Sequence, residues 1–410
     1  MIKSKYLILL RDRNFVILLT GLFGFGLGGT IFSISINWWI LEKTNSEVQL
    51  GLVGMFTLLP MLIFGLYSGL IADIFNRKTL MIISLSFRGI IIILIPIIEL
   101  ISSLEVWHVY IIAFFQGISF PFFINTVNAI FPQLVEEEDN LLAANALADS
   151  SFWSASIIGS LGGGFLIVFL GTMNLFMIST IILIGSSVLI LLINYNFKRN
   201  NEKSKHSFRN LLLNLKEGFD YLKTDKVLLI LIITWMGINT LFGMGVSSIG
   251  WAAFSKSILN AGAQGYGLLV MAGSLSSLIG SLIIGHWGDK LKKGKLILIG
   301  FIWGAIGIII FSFITNLYLA LTIAFLWNFF VPLINVAYYT SLMERVPEED
   351  LGKISGVSFT LAAALNPIST IITGYIMEYI LITLPFLVYG ISLILCFFIY
   401  YFNKECRRLK

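Results

Sequence analysis

Long apolar runs separated by short polar breaks follow one another along the whole chain. Each run holds about 20 or more residues, the length that a helix needs to cross a hydrocarbon core about 30 Å thick. Twelve such runs are present in the 410 residues. The pattern therefore predicts twelve membrane-spanning helices, placed at roughly 14–41, 48–72, 79–98, 107–131, 141–169, 173–196, 227–252, 264–287, 295–314, 317–342, 351–379 and 383–402.

A single basic linker separates the first six runs from the last six. Residues 198–226 are rich in Lys and Arg, and Phe208–Tyr221 carries apolar residues at helix-like spacing. The sequence therefore predicts an N-terminal six-helix bundle over 1–197, a cytoplasmic linker with an amphipathic helix over 198–226, and a C-terminal six-helix bundle over 227–410.

Composition and charge place the chain in a membrane. Residues are 57% hydrophobic and 12% charged, and the mean hydropathy is +0.92, which leaves too little polar surface for a soluble globule. With both termini in the cytoplasm, 24 of the 27 Lys and Arg residues lie inside, Lys43 and Lys256 lie outside, and Arg88 falls within a span. The net charge of +5 then indicates contact with anionic lipid, and we expect no nucleic-acid partner.

The two halves also share short motifs at nearly constant offset. The segment Gly69–Lys78 recurs in altered form at Gly285–Lys295, and Ser35–Trp38 matches Ser248–Trp251 near the ends of spans one and seven. Parallel internal repeats in an all-helical membrane protein are typical of transport between two halves. No nucleotide-binding loop, metal-spaced His cluster or nucleophile–base pair occurs in the sequence, so we expect neither an enzyme nor a metal site.

The segment Gly69–Lys78 resembles the signature of the major facilitator superfamily, Gly-x-Leu-Ala-Asp-Arg-x-Gly-Arg-Lys, in the loop between spans two and three. The chain keeps Gly69, Ala72, Asp73, Arg77 and Lys78 of that pattern, and it differs at Ile74 and Asn76, where the family usually has Arg and Gly. The resemblance implies an all-α integral membrane protein with twelve helices in two six-helix bundles and both termini cytoplasmic.

A narrower resemblance rests on Glu42-Lys43-Thr44, on Leu59-Pro60 and on Phe131–Glu138 running into Ala143–Leu147. Together these segments resemble the bacterial branch that contains macrolide-efflux proteins, other drug exporters and siderophore exporters. The resemblance implies a monomeric secondary transporter in the bacterial cytoplasmic membrane. It would export bulky amphipathic compounds by proton antiport and alternating access, and need no cofactor beyond the proton gradient. An importer or facilitator of a small metabolite and a lipid translocase stay as alternatives.

Gating residues are predicted in the repeated signature and in a glycine run. Gly69 would let a neighbouring helix approach, and Asp73 would accept N–H bonds from another helix end. Arg77 and Lys78 would pair with the acidic loop 136–139, or serve only as topology signals. Gly159-Ser160-Leu161-Gly162-Gly163-Gly164 resembles an antiporter pattern with Ser160 in place of proline, although plain helix packing also explains it. The gating set is Gly69, Asp73, Arg77, Lys78, Arg88, Gly159, Gly163, Gly164, Gly285 and Asp289.

Asp149 and Arg88 each lie about eight residues, or about 12 Å, into a predicted span. A charge at such depth is costly, so each is a functional candidate. Asp149 is the candidate for proton exchange or for attracting a cationic substrate. The alternative is a carboxylate that only hydrogen-bonds to Ser150, Ser151 or a neighbouring helix. Arg88 would reach the inner head groups or pair with an acid, and a pair with Asp149 is compatible with their equal depth.

The superfamily resemblance implies that spans one, four, seven and ten line the cavity. Those spans carry polar and aromatic side chains, which suit a bulky lipophilic substrate held by stacking and a few hydrogen bonds. The predicted cavity residues are Asn37, Trp38, Gln116, Asn125, Asn128, Trp235, Asn239, Trp327, Asn328, Asn335 and Tyr338. Gln116-Gly117 ends a family pattern linked to proton coupling, but Ala113 stands where that pattern has arginine.

Overall fold

The computed structural model of the chain describes residues 2–134, 138–194, 217, 219–222, 225–240, 243–287, 292–346, 354, 357, 360, 364–407 and 409. All elements within these ranges are helices, and the chain divides into two compact units. Unit 1 comprises Met1–Glu42 and Phe56–His206, and unit 2 comprises Lys43–Met55 and Ser207–Lys410. Most of the predicted linker, including most of its amphipathic helix, lies outside the described residues.

The helices of the first half follow the predicted runs closely. They are α1 (Ile2–Arg11), α2 (Arg13–Thr44), α3 (Glu47–Ile74), α4 (Arg77–Ile101), α5 (Val106–Leu134) and α6 (Glu138–Ile190). Side-chain caps define two of the starts, since a helix leaves its first N–H groups without internal partners. Asp12 Oδ1 accepts a bond of 2.8 Å from the N–H of Phe15, and Asn76 Oδ1 accepts one of 3.3 Å from Thr79.

Helix α6 is a hairpin of two antiparallel limbs that meet at Gly171. Gly171 has φ 77° and ψ 163°, a conformation open in practice only to glycine. Successive residues of the first limb, 138–170, contact successively later positions of α2. Successive residues of the second limb, 172–190, contact successively earlier positions of α2. The facing pairs are Ala155 with Gly26 and Gly163 with Ile34 on the first limb, and Ser179 with Gly28 and Ser186 with Gly24 on the second. The limbs match predicted spans five and six.

Unit 2 contains the helices of the second half. They are α7 (Lys226–Thr240), α8 (Gly243–Gly245), a π-helical turn (Val246–Gly250), α9 (Trp251–Ser257), α10 (Gly262–Trp287), α11 (Lys293–Phe311), α12 (Leu317–Phe329), α13 (Val331–Arg345), α14 (Asn366–Tyr379), α15 (Leu384–Phe402) and α16 (Lys404–Arg407). An aromatic cluster with ring centroids 4.5 to 6.5 Å apart forms its core: Trp251, Phe254, Phe311, Trp327 and Phe386.

The first part of α3 packs within unit 2. The carboxylate of Glu378 on α14 accepts a bond of 2.8 Å from the N–H of Val48 and another from the hydroxyl of Ser46. It thereby supplies an acceptor to the free N–H groups at the start of α3. The sequence predicted the change of bundle at the 198–226 linker, whereas the structure also assigns 43–55 to unit 2.

Nine helical segments in the described part of the chain are long and apolar enough to cross a membrane. They are Arg13–Thr44, Glu47–Gly65, Arg77–Ile101, Val106–Phe131, Ala144–Ile190, Gly262–Ile284, Lys293–Phe311, Leu317–Leu342 and Leu384–Phe402. The segment Ala144–Ile190 includes both limbs of α6. Predicted span seven corresponds to shorter helices, among them the apolar Lys226–Gly237, and span eleven is described only in part. An all-helical, multi-pass fold is confirmed, while the count of twelve and the cytoplasmic termini stay predictions.

Candidate functional site

A shallow, largely open pocket of about 430 Å³ lies in unit 1 between α2 and the first limb of α6. Its lining combines apolar side chains with hydroxyl groups: Leu19, Thr20, Phe23, Leu147, Ser150, Ser151 and Ser154. Ser151 Oγ donates to the carbonyl of Leu19 at 3.0 Å, and Thr20 Oγ1 donates to that of Val16 at 2.8 Å. Both hydroxyl protons are engaged in these bonds, so the lone pairs of the two oxygens are left to accept hydrogen bonds from a bound molecule.

Helical spacing explains how the pocket forms. Ser150, Ser151 and Ser154 share one face of α6, and Thr20 and Phe23 share one face of α2. None of these residues is among the cavity residues predicted from the sequence. The signal for them is the cluster of three serines within five positions of an otherwise apolar helix, which places several hydroxyl groups on one face.

Asp149 lies beside this pocket in sequence but outside its lining. Successive helix positions are about 100° apart, so its carboxylate projects from a different face of α6 than Ser151 and Ser154 do. The side chain is exposed. Ser151 directs its hydroxyl to Leu19 rather than to Asp149. The coupling role of Asp149 stays a prediction.

Arg88 is buried in the interior of unit 1, with 8% of its surface exposed. Its Nε donates to Gln116 Oε1 on α5 at 3.2 Å, and its guanidinium carbon lies 4.6 Å from the centre of the Phe25 ring on α2. Gln116 is held in turn, since its Nε2 donates to the carbonyl of Ala113 at 3.2 Å. The guanidinium is thus directed at α2 and α5. The structure joins two residues that the sequence assigned to separate roles, gating and cavity lining.

Two predicted cavity residues meet in unit 2. The rings of Trp235 on α7 and Tyr338 on α13 stack with centroids 4.4 Å apart and planes 12° from parallel. Tyr338 is only 2% exposed, whereas Trp235 is half-buried. The stacked pair packs α7 against α13, and only the half-buried Trp235 keeps part of its ring accessible.

Other predicted cavity residues take part in helix packing. Asn125 Nδ2 donates to Ser68 Oγ of α3 at 2.6 Å, and Asn328 Nδ2 donates within α12 to Ala324 at 2.8 Å. Trp327 belongs to the aromatic core of unit 2 and is 4% exposed.

The remaining cavity candidates differ in their surroundings. Trp38 Nε1 donates to Glu42 Oε1 at 2.7 Å, and Asn37 is buried on the same helix. Asn128 is exposed and Asn335 is half-buried. Asn239 lies in α7, but its side chain is outside the described part.

Two of the predicted gating glycines pack closely. A Cβ at Gly159 would lie 3.0 Å from that of Thr30, and one at Gly163 would lie 3.3 Å from Ile34. Gly164 is buried, and Gly285 lies near the end of α10 with its surroundings undescribed. A Cβ at Gly69 would meet no atom of the described residues within 4 Å, and the close approach expected there stays a prediction.

The basic residues of the signature contact main-chain carbonyls. Lys78 Nζ donates to Ile193 at 2.7 Å and so joins the start of α4 to the end of α6. Arg77 Nε donates to Ala72 at 3.3 Å, beside the end of α3. Asp73 lies in α3 with its side chain outside the described part, and Asp289 lies outside the described residues. Among those described, no group of three or more His, Cys, Asp or Glu could hold a metal ion.

Comparison with known families identifies the chain. The profile of a family described as "Transmembrane secretion effector" matches residues 7–401. The chain belongs to this family. The transmembrane secretion effectors are major facilitator transporters, so the protein is a multi-pass transporter of the bacterial cytoplasmic membrane and not an enzyme.

Curated relatives and solved structures agree with this assignment. Macrolide efflux protein A of Streptococcus pyogenes is 23% identical over 379 residues, which cover 89% of each chain. The multidrug efflux pump Tap of Mycolicibacterium fortuitum is 22% identical over 378 residues, covering 89% of this chain and 91% of that one. The nucleoside transporter NupG superposes with a TM-score of 0.74 at 12% identity, covering 95% and 98% of the two chains. At that identity the superposition shows the shared fold alone.

Proposed function

We propose that this transmembrane secretion effector exports bulky amphipathic compounds, of macrolide-like or secreted-metabolite type, by proton antiport and alternating access. The observation that carries the proposal is the match, along 89% of the chain, to relatives named for macrolide and multidrug efflux. The secretion description of the family points in the same direction. The likeness to a nucleoside transporter carries no weight for the substrate, because it reports only the fold.

The pocket of unit 1 supports an amphipathic cargo. Apolar side chains from Leu19, Phe23 and Leu147 would cover hydrophobic parts of a ligand, and the nearby hydroxyl groups would bond its polar edges. A macrolide combines a large apolar ring with sugar hydroxyls, which matches this mixture. In unit 2, the accessible part of the Trp235 ring, which is stacked on the buried Tyr338, would contact an apolar part of the cargo.

We propose that the proton gradient is the energy source and that the transporter works as a monomer. Proton antiport requires a group that binds and releases a proton as the binding site changes sides. Asp149 is an exposed carboxylate within a membrane-spanning limb, where ionisable groups are rare and usually functional. We therefore assign it the proton-exchange role.

The test is accumulation of a radiolabelled macrolide and a fluorescent lipophilic cation in cells without their own efflux pumps. Expression of the protein should lower the accumulation of at least one compound, and a protonophore should restore it. Increased accumulation would instead indicate import, and no change in either compound would direct the search to lipid or small-metabolite transport.

A pair of variants ties the activity to the pocket. Ser154→Phe would fill the pocket from α6, so export of the macrolide should fall several-fold. Ile158→Phe is the matched control, because Ile158 lies one turn further along the same helix, is 54% exposed and does not line the pocket. Equal export by both variants would show that this pocket does not take the cargo.

A further inference from the structure

The repeated signature of the two halves carries one contact that recurs at constant spacing. In unit 1, Lys78 Nζ at the start of α4 donates to the carbonyl of Ile193 at 2.7 Å. In unit 2, the main-chain N–H of Gly294 at the start of α11 donates to the carbonyl of Leu409 at 3.3 Å. Gly294 follows Lys78 by 216 positions, and Leu409 follows Ile193 by the same 216. The bond therefore joins equivalent positions of the internal repeat.

The acceptors are alike in the two units. Ile193 lies just beyond the end of α6, and Leu409 lies just beyond the end of α16, which are the last helices of their halves. Both residues are apolar and buried, with 1% and 9% of their surface exposed. In each unit the chain that follows the last helix is thus held by a buried side chain and by a bond to its carbonyl.

The donors differ, and the helix caps explain the difference. Asn76 caps the start of α4 with its side chain, and the bond to the carbonyl comes from the ammonium of Lys78. The equivalent residue before α11 is Lys292, which provides no side-chain cap. Because a helix leaves its first N–H groups without internal partners, Gly294 can donate its own N–H to the carbonyl.

The contact in unit 2 requires a glycine. A Cβ at Gly294 would clash with the carbonyl oxygen of Cys406 and would lie 2.8 Å from that of Arg407, both on α16. Main-chain oxygens cannot rotate away as the end of a side chain can. A residue without a side chain therefore lets α11 and α16 approach closely enough for the bond.

We propose that these two bonds are equivalent clasps that keep the last helix of each half fixed to the third span of that half while the transporter changes state. The unit 1 clasp is Lys78 with Ile193, and the unit 2 clasp is Gly294 with Leu409. Each half then moves as a rigid body, because its last turns do not unwind as the two bundles rock. Lys78 is a positioning residue of its own half in addition to any role in topology.

The decisive measurement is amide hydrogen exchange of the purified full-length protein, followed by mass spectrometry of peptides. Lys78→Met should make residues 188–194 exchange about tenfold faster, because these turns lose a bond from a charged donor. Residues 403–407 should exchange as in the wild type. Gly294→Ala should have the reverse effect, with faster exchange at 403–407 and no change at 188–194. Unchanged exchange at the expected segment, or equal effects on both segments, would overturn the proposal.

Matched variants separate the clasps from general effects of charge and volume. Lys78→Arg keeps a cationic donor and should stay within about twofold of the wild type at 188–194. Lys295→Met removes an exposed lysine at the start of α11 and should change neither segment. Gly304→Ala, on the same helix as Gly294, would place its Cβ in ordinary contact, 3.5 Å from Leu393, and should also leave both unchanged. Faster exchange in these controls would contradict the assignment.

Transport measures whether the unit 1 clasp acts in the cycle, and this arm rests on the proposed export function. Lys78→Met should slow export of a labelled macrolide several-fold, while binding of the macrolide to the purified protein stays within about twofold. Lys78→Arg should restore the rate. Export at the wild-type rate by Lys78→Met would overturn the role in the cycle. No macrolide export by the wild type would instead refute the proposed cargo, and amide exchange would still decide whether the clasps exist.

Discussion

At the scale of single residues, Cys406 offers a test of how the C-terminal helix α16 packs in unit 2. Burial raises the pKa of its thiol to about 11, an effect that nearby Arg345 only partly offsets. A thiol with a pKa near 9 would hold about a hundred times more thiolate at neutral pH. Maleimide labelling of Cys406 should therefore be about a hundredfold slower than that of an exposed thiol, and its rate should still be rising at about pH 10.

The experiment needs one thiol at a time. Cys396→Ala leaves Cys406 as the sole cysteine, because the chain has only these two. The matched control combines Cys396→Ala and Cys406→Ala with Lys404→Cys, which places a thiol at an exposed position of the same short helix. A labelling rate for Cys406 that levels off near pH 9, as the control should, would show that the thiol is not buried.

The glycine run of α6 contains a second test at the residue scale. A Cβ at Gly159 would lie 3.0 Å from that of Thr30 and 3.2 Å from the carbonyl oxygen of Leu27, while a Cβ at Gly162 would meet no atom within 4 Å. Gly159→Ala should therefore force α2 and α6 apart and cost about 1–3 kcal/mol, lowering the thermal unfolding midpoint. Gly162→Ala should leave the midpoint unchanged or raise it. Similar losses in both variants would contradict the packing.

At the scale of elements, the hairpin of α6 depends on the backbone of Gly171. Its φ of 77° and ψ of 163° are strained for any residue with a Cβ, although open space surrounds the position. Gly171→Ala should therefore destabilise the protein by about 1–3 kcal/mol through the backbone alone. Gly185→Ala on the second limb, also in open space, is the control and should be neutral or slightly stabilising. An unfolding midpoint as high for Gly171→Ala as for the control would contradict the positive φ of residue 171.

The elements show why part of the fold follows from sequence. Apolar runs and polar breaks are local signals, so the predicted gap at 170–172 falls where the structure bends at Gly171. The placement of 43–55 in unit 2 has no local signal. It arises from contacts such as Gly51 with Thr370 and Val48 with Glu378, whose partners are more than 300 residues away.

The candidate site was harder to predict for a related reason. Most of these helices are apolar all round, so the sequence pattern does not show which face packs and which lines a cavity. Asn125 and Trp327 fell on lining helices and yet point into packing contacts. Arg88 and Gln116 come from different helices, and their contact depends on how α4 and α5 are rotated against each other.

At the scale of the whole molecule, the proposed antiport would have an energetic limit set by the charge of a single proton. A charge that crosses a potential of roughly 150 mV releases about 3.5 kcal/mol, enough to support a concentration ratio of about 300 for the cargo. An exporter that has lost its proton-exchange group loses this gain but keeps its binding site. A coupling mutant should therefore lose uphill export but keep the exchange of cargo between two sides at equal concentrations.

Asp149→Asn is the variant that should lose uphill export and keep cargo exchange. The change preserves the size of this exposed side chain on α6 while removing its proton exchange. In proteoliposomes with an imposed pH gradient, uphill transport should fall at least about tenfold, whereas exchange of labelled for unlabelled cargo should stay within about twofold of the wild type. Glu105→Gln removes another exposed carboxylate, at the start of α5, and should change neither activity. Undiminished uphill transport by Asp149→Asn would exclude Asp149 from coupling, because asparagine cannot exchange a proton at this position.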